Sequence, residues 1–177
     1  MNTLAAGSLL LEPQVATHAH EMFHVLCDPA IYEFENQPPQ SPEWLESRFR
    51  MLESRRSADG SELWLNWVIR LPSGALAGYV QATVLPESVA YVAYELASRF
   101  WRQGIGSAAV SAVLRELRVS YGVHVCLAVF KARNFRSAAL LRSLEFSAAA
   151  PEDFPPVTCE PDEQVMYKQL TQHKNAV

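Results

Sequence analysis

The sequence predicts an α/β protein of the α+β kind: a single mixed, mostly antiparallel sheet flanked by helices, in the order β-α-α-β-β-β-α-β-α-β-β. Three observations carry this reading. Residues 62–71 (ELWLNWVIRL) and 75–85 (ALAGYVQATVL) flank Pro72-Ser73-Gly74, the signature of a hairpin. Residues 104–121 place Ile105, Ala108, Ala109, Ala112, Val113 and Leu117 on one helical stripe. Residues 123–130 (VHVCLAVF) are apolar without alternation, as expected of a strand covered on both faces.

In chain order, residues 7–13 (GSLLLEP) read as an opening strand. Residues 15–27 carry Val15, Ala19, Met22, Phe23 and Leu26 at helical spacing, and Asp28-Pro29 stops that helix. Residues 31–40 (IYEFENQPPQ) form a loop or broken helix. Ser41-Pro42-Glu43 combines a capping hydroxyl, proline at the first helical position and an acid in the first turn, so a second helix starts here and runs to about residue 56. Residues 58–61 turn into the hairpin, and residues 89–97 form the next strand. Gly122 ends the long helix, and Asn134 caps a short one that reaches residue 144. Residues 146–149 suit a strand edge. Residues 151–163, with four prolines and five acids, suit a loop, and residues 164–170 suit a closing strand. With no repeat and no linker, residues 1–177 are expected to form one domain with its core at 8–170.

A chain of 177 residues that is 49% apolar and 19% charged can bury a core, which argues against general disorder. No apolar run is long enough to span a bilayer, and no basic residue precedes the apolar start, so neither membrane insertion nor a signal peptide is expected. Cys27, Cys126 and Cys159 sit at no metal-ligand spacing. His18, His20 and His24 share the first helix, where spacing puts His20 and His24 on one face without a third nearby ligand, so no metal is expected. A cytoplasmic protein is the expectation. The net charge of −4 conceals a segment, residues 99–142, with eight basic residues against one acid; its +7 leaves −11 for the rest. Overall acidity argues against nucleic-acid binding, while the local excess suits a small polyanionic ligand.

The strongest chemical signal is Trp101-Arg102-Gln103-Gly104-Ile105-Gly106-Ser107, between a strand and a helix. Glycines allow close backbone approach, and the helix N-terminus offers free N–H groups and the positive end of its dipole; together they suit a phosphate or pyrophosphate. Gly104-Ile105-Gly106-Ser107-Ala108-Ala109 also matches the dinucleotide fingerprint. Residues 98–103 separate that match from its strand, however. The next strand ends in Val129-Phe130-Lys131 rather than an acid, and an antiparallel hairpin precedes it.

With these residues in view, the chain resembles the GNAT superfamily of acetyl-CoA-dependent N-acetyltransferases, and in particular the branch containing the ribosomal-protein N-terminal acetyltransferases. Phe100-Trp101-Arg102-Gln103-Gly104-Ile105-Gly106 is similar to the branch's aromatic-Trp-x-x-Gly-x-Gly/Ala. Asn134-Phe135-Arg136-Ser137 is similar to its Asn-x-x-Ser, and Leu144-Glu145-Phe146 to its Leu-Gly-Phe, with Glu145 in place of Gly and a local difference in the bend therefore expected. Leu9-Leu10-Leu11-Glu12-Pro13 resembles its opening Arg-Leu-x-Leu-Arg-Pro without the arginines.

The resemblance implies acetyl-CoA as co-substrate, lying between splayed strands. The pantetheine arm would run along residues 94–97, including Leu96 and Ala97, and the amides of Gln103, Gly104, Ile105, Gly106 and Ser107 would hold the pyrophosphate beside Trp101. Asn134 would line the other side of the arm. Arg102, Arg133 and Arg136 are candidates for the adenosine phosphates. Ser137 is the candidate acid, since the position seven residues after Asn134 is Leu141 rather than Tyr. Candidate bases are Glu95, Tyr91, Glu33 and Glu35. The acceptor is expected to be a primary amine, on a protein N-terminus or a small molecule, and the protein a monomer or homodimer. The alternative is a non-catalytic acyl-CoA- or peptide-binding module on the same fold; the intact Gly-x-Gly and Asn-x-x-Ser favour the enzyme.

Overall fold

Eight strands, β1 (Leu4–Ala6), β2 (Leu9–Pro13), β3 (Leu63–Arg70), β4 (Leu76–Val84), β5 (Val89–Leu96), β6 (Val125–Lys131), β7 (Ser147–Ala149) and β8 (Glu163–Gln169), form one sheet in the order β1-β2-β3-β4-β5-β6-β8-β7. Among the described residues they are accompanied by four α-helices, α1 (Ala19–Leu26), α2 (Pro42–Leu52), α3 (Ile105–Tyr121) and α4 (Phe135–Ser143). The computed structural model describes residues 1–150 and 159–170. Of the loop expected over 151–163, residues 151–158 lie outside the described residues.

The helices cover both faces of the sheet. On one, Val110, Val113 and Leu117 of α3 pack against Leu11, Trp67, Ile69 and Val80. On the other, Met22, Val25, Leu45 and Phe49 of α1 and α2 pack against Val68 and Leu76. Alternation along β3 divides Trp67 from Val68, so one strand feeds both cores. The second helix begins as expected, with Trp44 N–H donating to Ser41 Oγ at 3.1 Å and Pro42 in the first turn.

Local chain reversals account for the departures from expectation. The opening strand is a hairpin, because Gly7 adopts φ +65° and turns β1 back on β2, pairing Leu4 with Leu11. The second helix stops at Leu52 rather than near residue 56: Arg55 takes φ +59° and its carbonyl accepts from Trp64 N–H at 2.9 Å, drawing the chain towards β3. Glu145 adopts φ +64°, so the bend between α4 and β7 keeps a left-handed backbone without glycine, and Lys168 pairs with its carboxylate at 2.8 Å. β8 inserts between β6 and β7, leaving β7 at the edge.

The pairing of β5 with β6 is parallel and short. It joins Val89, Ala90 and Tyr91 to Val125, Cys126 and Leu127 and goes no further. Beyond Tyr91, β5 continues along β4, while β6 continues along β8. A wedge opens between them.

Candidate active site

The wedge holds a cavity of about 820 Å³. Tyr94, Glu95 and Leu96 of β5, Val129 of β6, Gly104, Gly106 and Ser107 of the glycine loop and α3, and Asn134, Arg136 and Ser137 of α4 line it. Trp101 and Arg102 complete the wall beside the loop.

Loop geometry explains the glycines. Gly104 takes φ +76° as the residue preceding α3, a conformation that favours glycine, and a side chain there would meet only open space. Gly106 serves packing instead: an added Cβ would lie 2.8 Å from Leu140 Cδ1 and 3.8 Å from Leu96 Cδ1. Ala108 N–H donates to Gly104 O at 2.9 Å, which leaves the preceding amides as the open end of the helix. The first turn contains no acid. Open amides at the positive end of a 17-residue helix suit an anion. Trp101 Nε1–H donates to Leu96 O at 2.8 Å, bracing the loop on the strand that feeds it, while the Gln103 side chain is occupied by Arg99 O at 2.8 Å. Ile105 packs on the core.

Ala97 follows directly after β5; its amide donates to Ala77 O at 3.0 Å and its side chain is buried.

On α4, Asn134 Oδ1 accepts from Ser137 N–H at 3.0 Å; the Asn-x-x-Ser spacing is therefore a helix cap that fixes Ser137 in the first turn, facing the wedge. The resemblance assigns Tyr94 only a backbone place along the pantetheine arm; its phenol crosses from β5 and donates to Ser137 O at 3.4 Å. Burial pushes that phenol up to about 12, against a side-chain hydrogen bond with Ser137, so it remains protonated at neutral pH.

Arg136 lines the cavity, but its charge is engaged by an ion pair with Glu33. Its guanidinium lies 4.4 Å from the Trp101 ring centre and 4.8 Å from that of Phe34. Arg133 donates to Phe34 O at 3.0 Å. The segment before α2 is thus tied over the wedge through the Arg136–Glu33 pair and the Arg133–Phe34 hydrogen bond.

Among the expected bases, Glu95 and Glu35 line the cavity. Tyr91 lines neither this cavity nor the second one described below, because it lies where β5 is still paired to β6. Glu95 pairs in register with Tyr79 and accepts from Asn36 Nδ2 at 3.3 Å. Burial raises its pKa above the ordinary carboxylate value, aided by the nearby charge of Glu35 and opposed by hydrogen bonds from Tyr79 and Asn36. Burial also raises Glu35. Gly78 makes room for this stretch of β5, since a Cβ there would sit 2.0 Å from Glu95 O.

A second cavity of about 470 Å³ lies under α1 and α2 and shares Asn36, Tyr79, Gln81 and Glu95 with the first. Glu95 therefore stands at the junction of the two. Among the described residues no three His, Cys, Asp or Glu side chains gather as a metal site, and no helix is long and apolar enough to cross a membrane.

The sequence matches the family profile described as acetyltransferase (GNAT) domain over residues 8–147. No curated protein sequence matches it significantly. Among solved structures it is similar to ribosomal-protein-S5-alanine acetyltransferase from Vibrio fischeri, with 18% identity, TM-score 0.78, and 96% of this chain and 97% of that one covered. It is also similar to an acetyl transferase from Salmonella typhimurium that modifies the N-terminal serine of ribosomal protein L7/L12, with 15% identity, TM-score 0.73, and 95% and 99% covered. A third likeness is to the microcin C7 self-immunity acetyltransferase MccE, solved with acetyl-CoA and AMP, with 16% identity, TM-score 0.73, and 92% and 93% covered. At these identities the likeness is one of fold.

Proposed function

For a chain that belongs to the acetyltransferase (GNAT) domain family, and is thus an acetyl-CoA-dependent acyltransferase, we propose that it transfers acetyl from acetyl-CoA bound in the wedge to a primary amine presented at Glu95. The observation that carries this reading is the position of Glu95, which borders both the wedge and the second cavity, so that a thioester in one and an amine in the other meet at a carboxylate.

The residues fit a phosphate-bearing thioester. Gly104 to Ser107 offer an acid-free helix N-terminus, and the unpaired edge of β5 beyond Tyr91 faces the gap where an extended arm would lie. Acetyl-CoA supplies an acyl group already activated as a thioester. Glu95, with its raised pKa, takes a proton from the incoming ammonium, directly or through one water. The amine nitrogen then bonds to the acyl carbon as the carbon–sulfur bond breaks, and the second proton the nitrogen sheds on becoming an amide passes through solvent to restore the one that Ser137 gives up. Ser137, held by the Asn134 cap and backed by the protonated Tyr94, supplies a proton to the departing sulfur.

Thermal unfolding with acetyl-CoA, CoA and NAD, followed by thiol release across a panel of amines, tests the proposal. Stabilisation by both CoA species but not NAD, with amine-dependent thiol release, is the expected outcome. Stabilisation by NAD alone would overturn the ligand assignment, and CoA binding without release for any amine would overturn the activity.

A further inference from the structure

The second cavity has a composition of its own. Across the sheet, Gln14 N–H donates to Asn66 O, Asn66 is in register with Gln81, and Gln81 with Ala93. Gln14, Asn66 and Gln81 thus form a row of carboxamides beneath α2, one strand apart from each other. Asn36 and Gln37 add two more from the segment before α2. The ionisable residues around this space are two phenols, Tyr32 and Tyr79, the carboxylate of Glu95 at one end and the guanidinium of Arg48 on α2.

One buried group here lacks a partner, and one exposed cation, Arg48, is open to a ligand. Gln14 is only 2% exposed, and its side-chain nitrogen has no hydrogen-bond partner. A buried amide left unpaired is costly unless a ligand completes it. Arg48 forms no ion pair among the described residues. Both suit a carbonyl or carboxylate oxygen, whereas Glu95 suits an amine. Strands are spaced about 4.8 Å apart, and Gln14 lies three strands from β5, so the two ends are separated by several bonds of any ligand that touches both.

We propose that this cavity is the acceptor site and that it selects an amine bearing a carboxylate several bonds away, a short zwitterionic peptide, over a polyamine. The inference rests on the acetyl-transfer reading above. Carboxamides both donate and accept, as the peptide bonds of such an acceptor require. A polyamine presents several cations and would find one carboxylate, with Arg48 opposing it.

Thiol release is measured with trialanine, trialanine amide and spermidine for the wild-type chain and for Arg48→Gln, with acetyl-CoA stabilisation recorded for each protein. The wild type is expected to use trialanine about tenfold better than its amide, the scale of one charge-assisted contact, and both better than spermidine. Arg48→Gln is expected to bring the acid-to-amide ratio close to one. Gln14→Leu, which keeps the volume, is expected to raise KM for both peptides. Preference for spermidine, an acid-to-amide ratio unchanged by Arg48→Gln, or no turnover of either peptide would overturn the acceptor assignment when acetyl-CoA still stabilises the protein. Loss of that stabilisation in the wild type would instead overturn the acetyl-transfer reading.

Discussion

The phenol of Tyr94 on β5 reaches across the wedge to the main-chain carbonyl of Ser137 on α4, 3.4 Å away. It places a second hydroxyl beside the one expected to protonate the leaving thiolate. Ser137→Ala should lower kcat by roughly 10²–10⁴-fold if Ser137 is the sole donor, and by less if Tyr94 shares the task. Steady-state kinetics of Ser137→Ala, Tyr94→Phe and the double variant separate these cases. A shared proton path makes the double variant less impaired than the product of the single effects, whereas independent roles make the effects multiply.

Glu95 should leave two signatures. Its raised pKa moves the acidic limb of the pH–rate profile above the ordinary carboxylate range, and Glu95→Gln should abolish that limb along with most of the activity. The second signature is in stability. A carboxyl whose folded pKa exceeds its unfolded value binds more protons in the folded state, so stability falls as pH rises between the two values, and a penalty remains at neutral pH. Glu95→Gln should therefore raise Tm at pH 7. A lower Tm would show that Glu95 is instead stabilised as the anion.

At the glycine loop, Ser107 occupies the third residue of α3 and lines the cavity. Ser107→Asp places a carboxylate where the helix dipole favours one, so the fold should keep or gain stability by a few tenths of a kcal/mol. The same carboxylate would occupy the open amides and repel phosphate. CoA affinity by calorimetry should fall at least tenfold, while that of a pantetheine fragment lacking phosphates should fall less. Equal loss for both would place the anion elsewhere.

Glu145 adopts φ +64° at a bend where glycine is unstrained. Glu145→Gly relieves a left-handed conformation that costs a side-chain-bearing residue about 1 kcal/mol, and it gives up an exposed ion pair with Lys168 that contributes little. Tm should rise slightly, as differential scanning calorimetry would show; a fall would mean that the Lys168 contact outweighs the backbone term.

Acid should weaken the contact between β2, β3 and the turn that leads into α1. Arg70 holds Glu12 at 2.7 Å, and His18 Nε2 lies 3.3 Å from the same carboxylate. Hydrogen bonding from Arg70 lowers Glu12, and burial lowers His18. Both folded pKa values lie below their unfolded counterparts, so in each window the unfolded chain binds more protons. The stability they contribute is present above the unfolded values and is lost as pH falls through the folded ones. Denaturant midpoints should decline from pH 7 towards pH 4, and Glu12→Gln should flatten the lower part of that decline.

Much of this architecture was legible where the signal is local. Ser41-Pro42 marks a helix start, Pro72-Ser73-Gly74 marks a hairpin, and Asn134 caps α4, each within four residues of what it controls. The glycine loop was readable for the same reason. Placement that depends on distant strands was not. Alternation along β5 separates Tyr94 from Glu95, yet only the packing of α3 and α4 on one face and α1 and α2 on the other decides which residue meets Ser137. The basic excess of residues 99–142 overstated the charge open to a ligand, because Lys131 pairs with Asp162 and Glu163, and Arg136 with Glu33, across 31 to 103 positions of chain. The row formed by Gln14, Asn66 and Gln81 appears only once three strands are aligned.

The brevity of the β5–β6 pairing has a mechanical consequence. Strands β1 to β5 and strands β6 to β8 are two slabs of one sheet, stitched by three rungs of ladder at one end of the seam. A ligand whose amides bond to the bare edge of β5 would close that seam as an additional strand does, converting a local wedge into a continuous hydrogen-bonded surface. Amide exchange is the natural gauge: along β5 beyond Tyr91, and along β6 opposite it, binding of CoA should slow exchange most, while the β3–β4 hairpin, already paired through Leu63 to Arg70, should hardly respond.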